Sequence, residues 1–263
     1  GRDDLIAYHK RIFARDNLKV VAVGDITPAE LGKLIDDVFG GLPAKADLFP
    51  VAKIQPATGG SQRVIDMGVP QSVAVFGLGA MPRKDPDFIT AFVVNHILGG
   101  GGFSAKLMEE VREKRGLAYS VYTYIQPDRY TSILVGSVAT KNASMSQILD
   151  IIRNEMKKMA ENGPTEADLD AAERYITGSY SLRFDTNSKI ASQLLGLMQK
   201  GFGPYYVENR NNMIEAVTLA DAKRVAARLL KPDDLIVTVV GRPAGMKSEI
   251  PAAQSRVPAP TRG

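Results

Sequence analysis

Cysteine and tryptophan are absent from this chain, and histidine occurs only twice in its 263 residues. Without cysteine there can be no disulfide bond, no thiolate nucleophile and no cysteine-ligated zinc, and the sequence fits a reducing or an oxidising compartment equally well. No apolar run approaches the length of a membrane span, and the first residues contain no signal-peptide core. We therefore expect no membrane span, and we expect any export signal to have been removed already.

The scarcity of histidine argues against a metal site. A zinc site built on one helix needs ligands three or four residues apart, whereas His9 and His96 are far apart in the chain and neither has a second histidine nearby. His96 follows Phe92 by one helical turn, which is the pattern of a partly buried structural histidine. The sequence predicts that this chain holds no metal.

Charge of one sign is not concentrated anywhere. The 33 basic and 29 acidic residues give a formal net charge of +4 and are scattered along the chain. Nucleic-acid surfaces need clustered Lys and Arg, so we predict no nucleic-acid partner. The hydrophobic content of 44% is enough for one large or two small domains with real cores.

The first part of the chain has the pattern of an incomplete domain. A helix is predicted over residues 5–16, a buried-type strand over Leu18–Val23, and a second helix from the N-cap Thr27 to Gly40. One strand between two helices has no sheet to join, so residues 1–42 are predicted to be the C-terminal remnant of a first domain. Residues 43–60, with Pro50 and Pro56, are predicted to be a linker.

Residues 61–243 have the pattern of a complete domain. The predicted strands are 63–67, 72–78, 118–125, 130–138 and 235–240. The predicted helices are 86–98, 104–114, 144–161, 166–184, 189–200, 206–216 and 219–230. Residues 244–263 contain three prolines and little apolar periodicity, and we predict a disordered tail there.

An internal repeat links these two parts. Residues 11–24 match residues 228–241 at a constant offset (228 − 11 = 217), and both segments read as a helix end, an Asp-containing turn and a strand that stops at glycine. Two copies of one domain would show this similarity where each copy ends. Chance similarity between two amphipathic junctions is the alternative.

Four consecutive glycines, Gly99–Gly102, precede Phe103. A phosphate-binding loop is disfavoured, because the run follows a predicted helix and lacks the Gly-Lys-Ser/Thr that such a loop requires. Two interpretations remain open. The run is either a flexible turn between helices or a mobile loop that lets a substrate backbone come close.

The stretch from Leu107 to Ser120 contains the most informative pair of residues. Arg112 falls near the end of a predicted helix and Tyr119 at the start of the next strand, so that both tips can reach one space across Gly116. A guanidinium and a phenol together can bind a peptide carbonyl and stabilise an oxyanion. The alternatives are an ion pair between Arg112 and Glu109 and an ordinary strand tyrosine. The acidic residues 109, 110 and 113 favour a solvated helix face over an acid–base pair.

At this point the sequence resembles the second domain of the pitrilysin/insulinase family of zinc metallopeptidases, which includes the mitochondrial processing peptidase and bacterial two-subunit relatives. The resemblance rests on His96 to Gly100, Ser104 to Leu107, and the Arg112 to Ser120 segment with its seven-residue Arg/Tyr spacing. It extends over most of the chain, with residues 17–25 similar to the end of a first family domain.

The resemblance implies an α+β fold, with a mixed, mainly antiparallel sheet packed with helices, as one half of a clamshell. It implies that Arg112 and Tyr119 hold the substrate carbonyl and stabilise the tetrahedral intermediate. It also implies that Gly99, Gly100, Gly101, Gly102 and Phe103 contact peptide substrate. The His-x-x-Glu-His motif of the family is missing, so zinc is expected on another domain or subunit and the chain alone is expected to be inactive.

A second interpretation is a non-catalytic scaffold member of the same family that acts as a protein-interaction subunit. The presence of both Arg112 and Tyr119 argues against it, although a non-catalytic subunit can keep residues by descent.

Overall fold

The computed structural model describes residues 1–247. They form two compact units. Unit 1 comprises Gly1–Lys53 and Tyr175–Glu215, and unit 2 comprises Ile54–Arg174 and the chain from Ala216 onward. Within residues 1–247 no helix is long and apolar enough to cross a membrane. The predicted disorder of residues 248–263 lies outside the described residues.

The helices and strands follow the sequence pattern closely. In chain order the α-helices are α1 (Arg2–Ile12), α2 (Pro28–Phe39), α3 (Phe88–Asn95), α4 (Lys106–Met108), α5 (Met145–Asn162), α6 (Glu166–Gly178), α7 (Asn187–Gln199), α8 (Tyr205–Glu215) and α9 (Leu219–Leu229). The strands are β1 (Ser61–Asp66), β2 (Gln71–Gly79), β3 (Val121–Pro127), β4 (Ser132–Lys141) and β5 (Ile236–Gly241).

Local capping explains where several helices begin. Thr27 caps α2 as predicted, since its side chain accepts a hydrogen bond from the Glu30 backbone while the Glu30 carboxylate accepts one from the Thr27 backbone. Thr218 caps α9 in the same way through the backbone N–H of Asp221. A single side chain at each start satisfies a backbone donor that the helix leaves unpaired.

The predicted strand at Leu18–Val23 is wrong for this structure. Leu18 has an extended backbone, with φ −70° and ψ 134°, but the segment pairs with no strand among residues 1–247. A strand forms only where a neighbouring backbone completes its hydrogen bonds, and the described part of unit 1 contains no strand. The sequence pattern identified a segment that is suited to a β-sheet. It could not show whether a neighbouring strand is present to pair with that segment.

Unit 2 is built on a five-stranded mixed sheet in the order β1-β5-β2-β4-β3. The β1–β5 pair is parallel and the other pairs are antiparallel, which confirms the predicted mainly antiparallel sheet. Side chains alternate across it: Ala74 and Phe76 of β2 are buried, whereas Val73 and Val75 are exposed. One face of the sheet is therefore covered and the other is open.

Helices α3, α5 and α9 pack together as a helix layer in unit 2. Ile148 and Ile152 of α5 and Val225 of α9 are fully buried, as is Val237 of β5. Each such side chain contributes roughly 1.5–3 kcal/mol when it leaves water. This buried apolar layer stabilises unit 2, which contains the candidate site.

A cluster of ion pairs ties the start of α3 to α9. Asp87 accepts hydrogen bonds from Arg224 at 2.9 Å and from Arg228, while Arg228 also binds Asp85 at 2.8 Å. The Arg224 hydrogen bond lowers the pKa of Asp87 to about 2; burial opposes this shift and Arg228 adds to it. We refer to these four residues as the Asp/Arg clamp.

Candidate functional site

Arg112 lies on a short helical segment, and the buried side chains of that segment hold it against the core. Residues 106–108 are α-helical and residues 109–113 continue as a π-helix, which corrects the predicted uninterrupted helix over 104–114. Leu107 and Val111 on this segment are fully buried. Gly116 ends it at φ +59°, with its N–H donating to the Arg112 carbonyl at 2.9 Å.

Two aromatic rings hold the Arg112 guanidinium. Its central carbon lies 4.4 Å from the centroid of the Phe103 ring and 5.0 Å from that of Tyr119. Cation–π stacking of this kind fixes the guanidinium without using its N–H donors. The structure thus brings together Phe103, Arg112 and Tyr119, which we call the Arg/Tyr stack.

The donors of Arg112 are largely unused. The alternative ion pair with Glu109 is not formed; the nearest carboxylate is Glu113, whose Oε1 lies 3.7 Å from Arg112 Nε. The buried atom Nη1 has no hydrogen-bond partner within residues 1–247. A buried guanidinium nitrogen without an acceptor is costly, so this nitrogen is suited to an acceptor that arrives from outside.

Tyr119 projects from the chain just before β3. The residue is 80% exposed, whereas the Arg112 side chain beneath it is only 30% exposed. The exposed phenol of Tyr119 and the half-buried guanidinium of Arg112 therefore place two hydrogen-bond donors next to each other. The arrangement can bind a carbonyl oxygen and stabilise the negative charge that develops on it.

The neighbouring glutamates form a charged helix surface, as the sequence indicated. Lys114 binds Glu110 at 2.6 Å and Glu109 at 2.9 Å, and Arg115 binds Glu110 at 2.6 Å. The hydrogen bond from Lys114, followed by that from Arg115, lowers the pKa of Glu110. Lys114 and Arg115 therefore hold the Glu110 carboxylate in its ionised form, so Glu110 is unsuited to act as a general acid.

The first two residues of the glycine run pack against the edge of the sheet. Residues 96–100 form a π-helix that contacts β3, the last strand in the sheet order. A methyl group on Gly99 would collide with the Thr123 side chain, and one on Gly100 would lie 2.8 Å from Asn95 Nδ2. Asn95 Nδ2 in turn donates to the Thr123 carbonyl at 3.3 Å. The glycines therefore let a helix cover an edge strand that would otherwise be exposed.

The end of the run is more open. A methyl group on Gly101 would lie 2.9 Å from the His96 carbonyl, whereas Gly102 has φ +61° and nothing within 4 Å of its side-chain position. Gly102 leads directly to Phe103, which is 65% exposed. The run thus has three glycines with close neighbours, Gly99 to Gly101, and one open glycine, Gly102, next to the Arg/Tyr stack.

Sequence reasoning missed Asn95 and Thr123. Both are buried, and Asn95 Oδ1 and Thr123 Oγ1 have no hydrogen-bond partner in the described chain. Their position behind Gly99 and Gly100 makes them the support of the glycine run. A polar residue at the end of the apolar helix Phe88–Asn95, directly before the glycine run, is the one signal that could have drawn attention to this support.

The histidines do not form a metal site. His96 is partly buried, and burial lowers its pKa, while His9 stacks on Phe13 in unit 1 with ring centroids 4.6 Å apart. Residues 1–247 contain no group of three His, Asp or Glu side chains placed to hold a metal ion. The residues present therefore do not fit zinc.

These features define a class of protein: an α+β domain that carries an Arg/Tyr stack and a packed glycine run, with no cluster of metal ligands among residues 1–247. The family model described as the peptidase M16 inactive domain matches residues 1–175. The chain belongs to that family, a catalytically inactive domain related to zinc metallopeptidases.

Known relatives agree with this assignment. A crystal structure of a peptidase M16 inactive domain from Pseudomonas fluorescens is 27% identical, covers 94% of this chain and 59% of that chain, and has a TM-score of 0.83. A non-peptidase homologue from Helicobacter pylori is 25% identical over 90% of this chain and 55% of its own length. A protein from Mycobacterium bovis that is named as an uncharacterized zinc protease is 28% identical over 87% of this chain and 53% of its own length.

A mitochondrial-processing peptidase subunit beta from Schizosaccharomyces pombe is also similar, with 25% identity over 93% of this chain and 56% of its own length. Its name describes one subunit of an assembly. The chain spans about half the length of the curated relatives it matches.

Proposed function

We propose that this chain is the zinc-free half of an M16-type metallopeptidase. In this proposal it binds peptide substrate and stabilises the tetrahedral intermediate for a His-x-x-Glu-His zinc site on another domain or subunit. The observation that carries the proposal is the Arg/Tyr stack, in which a guanidinium is held by two rings while its buried Nη1 finds no acceptor in the described part of the chain. Zinc proteases among the relatives support the same reaction class.

The stack explains how this half would contribute. Peptide hydrolysis by water develops negative charge on the carbonyl oxygen, and donors fixed in advance stabilise that charge without reorganising. Phe103 and Tyr119 hold Arg112 by stacking, so the guanidinium does not have to be ordered when substrate arrives. Arg112 and Tyr119 are the catalytic residues proposed for this chain.

The glycine run has two parts in the proposal. Gly102 and Phe103 are the substrate-contacting portion, because the side-chain position of Gly102 is open and Phe103 is 65% exposed beside Arg112. Gly99, Gly100 and Gly101 act as positioning residues, because their close contacts with Thr123, Asn95 and His96 set where that portion lies.

A scaffold role is the second candidate. The Helicobacter pylori relative is named as a non-peptidase homologue, and its likeness covers nearly the whole of this chain. A scaffold would need the fold and its interaction surfaces, but it would not need unused donors on Arg112.

Peptide cleavage by the chain combined with a zinc-motif partner distinguishes the two candidate functions. Tyr119→Phe removes one transition-state donor and should lower kcat/KM by roughly 10² to 10³ while leaving KM nearly unchanged. Steady-state kinetics on an unfolded peptide provide the measurement.

Tyr122→Phe is the matched control, because Tyr122 is an exposed tyrosine on the same stretch of chain that the proposal leaves without a role. If Tyr119→Phe cleaves as fast as the Tyr122→Phe control, the proposed role of the stack is wrong and the scaffold role stands.

A further inference from the structure

The packing of Tyr119 itself does little to hold its phenol in place. The residue is 80% exposed, and residues 116–120 belong to no helix or strand. An exposed side chain on an irregular segment keeps much of its conformational freedom unless the backbone on either side is fixed. The position of the phenol in the Arg/Tyr stack therefore depends on the residues that flank Tyr119.

Leu117, two residues before Tyr119, is bonded to two different elements. Its N–H donates to the Val111 carbonyl at 2.9 Å, within the helical segment that carries Arg112. Its carbonyl accepts a hydrogen bond from the hydroxyl of Thr140 on β4. Thr140 is only 2% exposed, so water does not compete for this bond. Leu117 thus joins the Arg112 segment to the sheet.

Val121, two residues after Tyr119, provides a second and weaker attachment. Its N–H donates to Met108 Sδ at 3.4 Å, and both residues are buried. A thioether sulfur is a weak acceptor, whereas a carbonyl oxygen is a strong one. The bond from Thr140 is therefore the stronger of the two attachments that flank Tyr119.

The register of the sheet explains why a side chain is needed at this point. The β3–β4 ladder ends at the pair Val121–Val138. Two more residues would place Tyr119 opposite Thr140 (140 − 138 = 121 − 119), but β3 begins only at Val121. The Thr140 hydroxyl therefore supplies the attachment to β4 that backbone hydrogen bonds supply within the ladder.

The packing of β4 does not itself require this hydroxyl. Strands favour β-branched residues, and valine has nearly the same size and shape as threonine. A buried hydroxyl costs free energy unless it is hydrogen-bonded. The bond to the Leu117 carbonyl is thus what distinguishes threonine from valine at position 140.

We propose that Thr140 is a positioning residue for Tyr119. Its hydroxyl holds the Leu117 carbonyl, and this attachment keeps the Tyr119 ring centroid 5.0 Å from the central guanidinium carbon of Arg112. The consequence for catalysis rests on the proposed function of the stack. The consequence for the position of Tyr119 does not, so the two are tested by separate experiments.

The first experiment reports on Tyr119 in the chain alone. A fluorotyrosine replaces Tyr119 only, and fluorine NMR measures its chemical shift and line width. Thr140→Val removes the donor, so the resonance should move toward that of free fluorotyrosine and become narrower as the ring gains mobility. Thr140→Ser keeps the donor and should leave the resonance where it is in the unaltered chain.

Ser137→Ala is the matched control for this experiment. The Ser137 hydroxyl donates to the Ala74 carbonyl at 3.1 Å, so the variant loses the same kind of bond from the same strand, but to β2 instead of the Tyr119 segment. It should leave the fluorine resonance unchanged. Thermal unfolding checks that each variant is folded, with a Tm lowered by less than about 12 °C. If Thr140→Val gives the resonance of this control, the inference is wrong.

The second experiment measures peptide cleavage by the chain combined with a zinc-motif partner. Thr140→Val should lower kcat by roughly 10-fold to 100-fold with KM nearly unchanged, because a misplaced donor loses its effect in the transition state. Thr140→Ser should restore most of the activity. In a Tyr119→Phe background, Thr140→Val should cause little further loss, since its effect acts through the phenol.

The outcomes identify which claim has failed. An equal loss in the Tyr119→Phe background would mean that Thr140 acts on the fold as a whole, and the inference would be overturned. If Tyr119→Phe leaves cleavage unchanged, the proposed function fails, whereas the fluorine resonance still decides whether Thr140 positions Tyr119.

Discussion

The two helix–turn–strand junctions of this chain have the same local structure but different surroundings. Around Val237 the junction is a sheet strand with a buried helix beside it, whereas around Val20 the same sequence pattern gives a segment that joins no sheet and is partly exposed to water. Local sequence therefore sets the helix end, the turn and the extended backbone. Neighbouring elements decide whether that backbone becomes a strand and whether the apolar positions contribute to stability.

The largest expected effect comes from placing a charge at matched positions of the two junctions. Val237→Asp puts a carboxylate into the fully buried centre of the unit 2 sheet and should lower the free energy of unfolding by about 4 kcal/mol or more. Val20→Asp changes a residue that is 36% exposed and should cost less than about 0.5 kcal/mol in the isolated chain.

Urea denaturation of both variants measures this difference. Similar losses in the two variants would mean that the first junction is packed as firmly as the second in the isolated chain. The comparison between them would then be broken.

A smaller effect is expected from changing the aspartates that pair with the matched arginines Arg228 and Arg11. Arg228 belongs to the Asp/Arg clamp, whereas Arg11 binds Asp47, whose side chain is 82% exposed. Asp87→Asn should cost about 2 kcal/mol, because it removes charged hydrogen bonds to two arginines. Asp47→Asn, the control at a solvated pair, should cost less than about 0.5 kcal/mol.

The clamp also predicts a dependence on pH. The pKa of Asp87 is about 2 in the folded protein, below its ordinary value of 3.8. Its stabilising contribution is therefore complete above about pH 4 and is lost as the pH falls toward 2. Denaturation curves between pH 5 and pH 2 should show a steeper loss for the unaltered chain than for Asp87→Asn, and parallel curves would contradict this role.

Much of the fold could be predicted from the sequence, because periodicity and capping are local. Thr27 was sufficient to place a helix start, and the apolar and small residues of 72–78 were sufficient to place a strand. The π-helical segments at 96–100 and 109–113 could not be predicted, since they depend on tertiary packing: residues 96–100 contact β3 and residues 109–113 contact α5. The predicted strand at Leu18–Val23 was wrong for the same reason. No local pattern shows whether a neighbouring strand is present.

The candidate site was predictable in its residue types but not in its contacts. Arg112 and Tyr119 stood out by their spacing across Gly116. The stacking of Phe103 on Arg112, and the support of the glycine run by Asn95 and Thr123, arise from parts of the chain that meet only in the folded structure. Sequence alone left the glycine run as either a turn or a mobile loop, whereas the structure shows close contacts at Gly99, Gly100 and Gly101 and open space at Gly102.

The measurement that tests the central claim most directly is peptide cleavage with and without a zinc-motif partner, with zinc content determined on the same samples. The account predicts that the isolated chain holds no stoichiometric zinc and cleaves no unfolded peptide, and that cleavage appears when the partner is added. About one tightly bound zinc per isolated chain, together with metal-dependent cleavage by that chain, would contradict it.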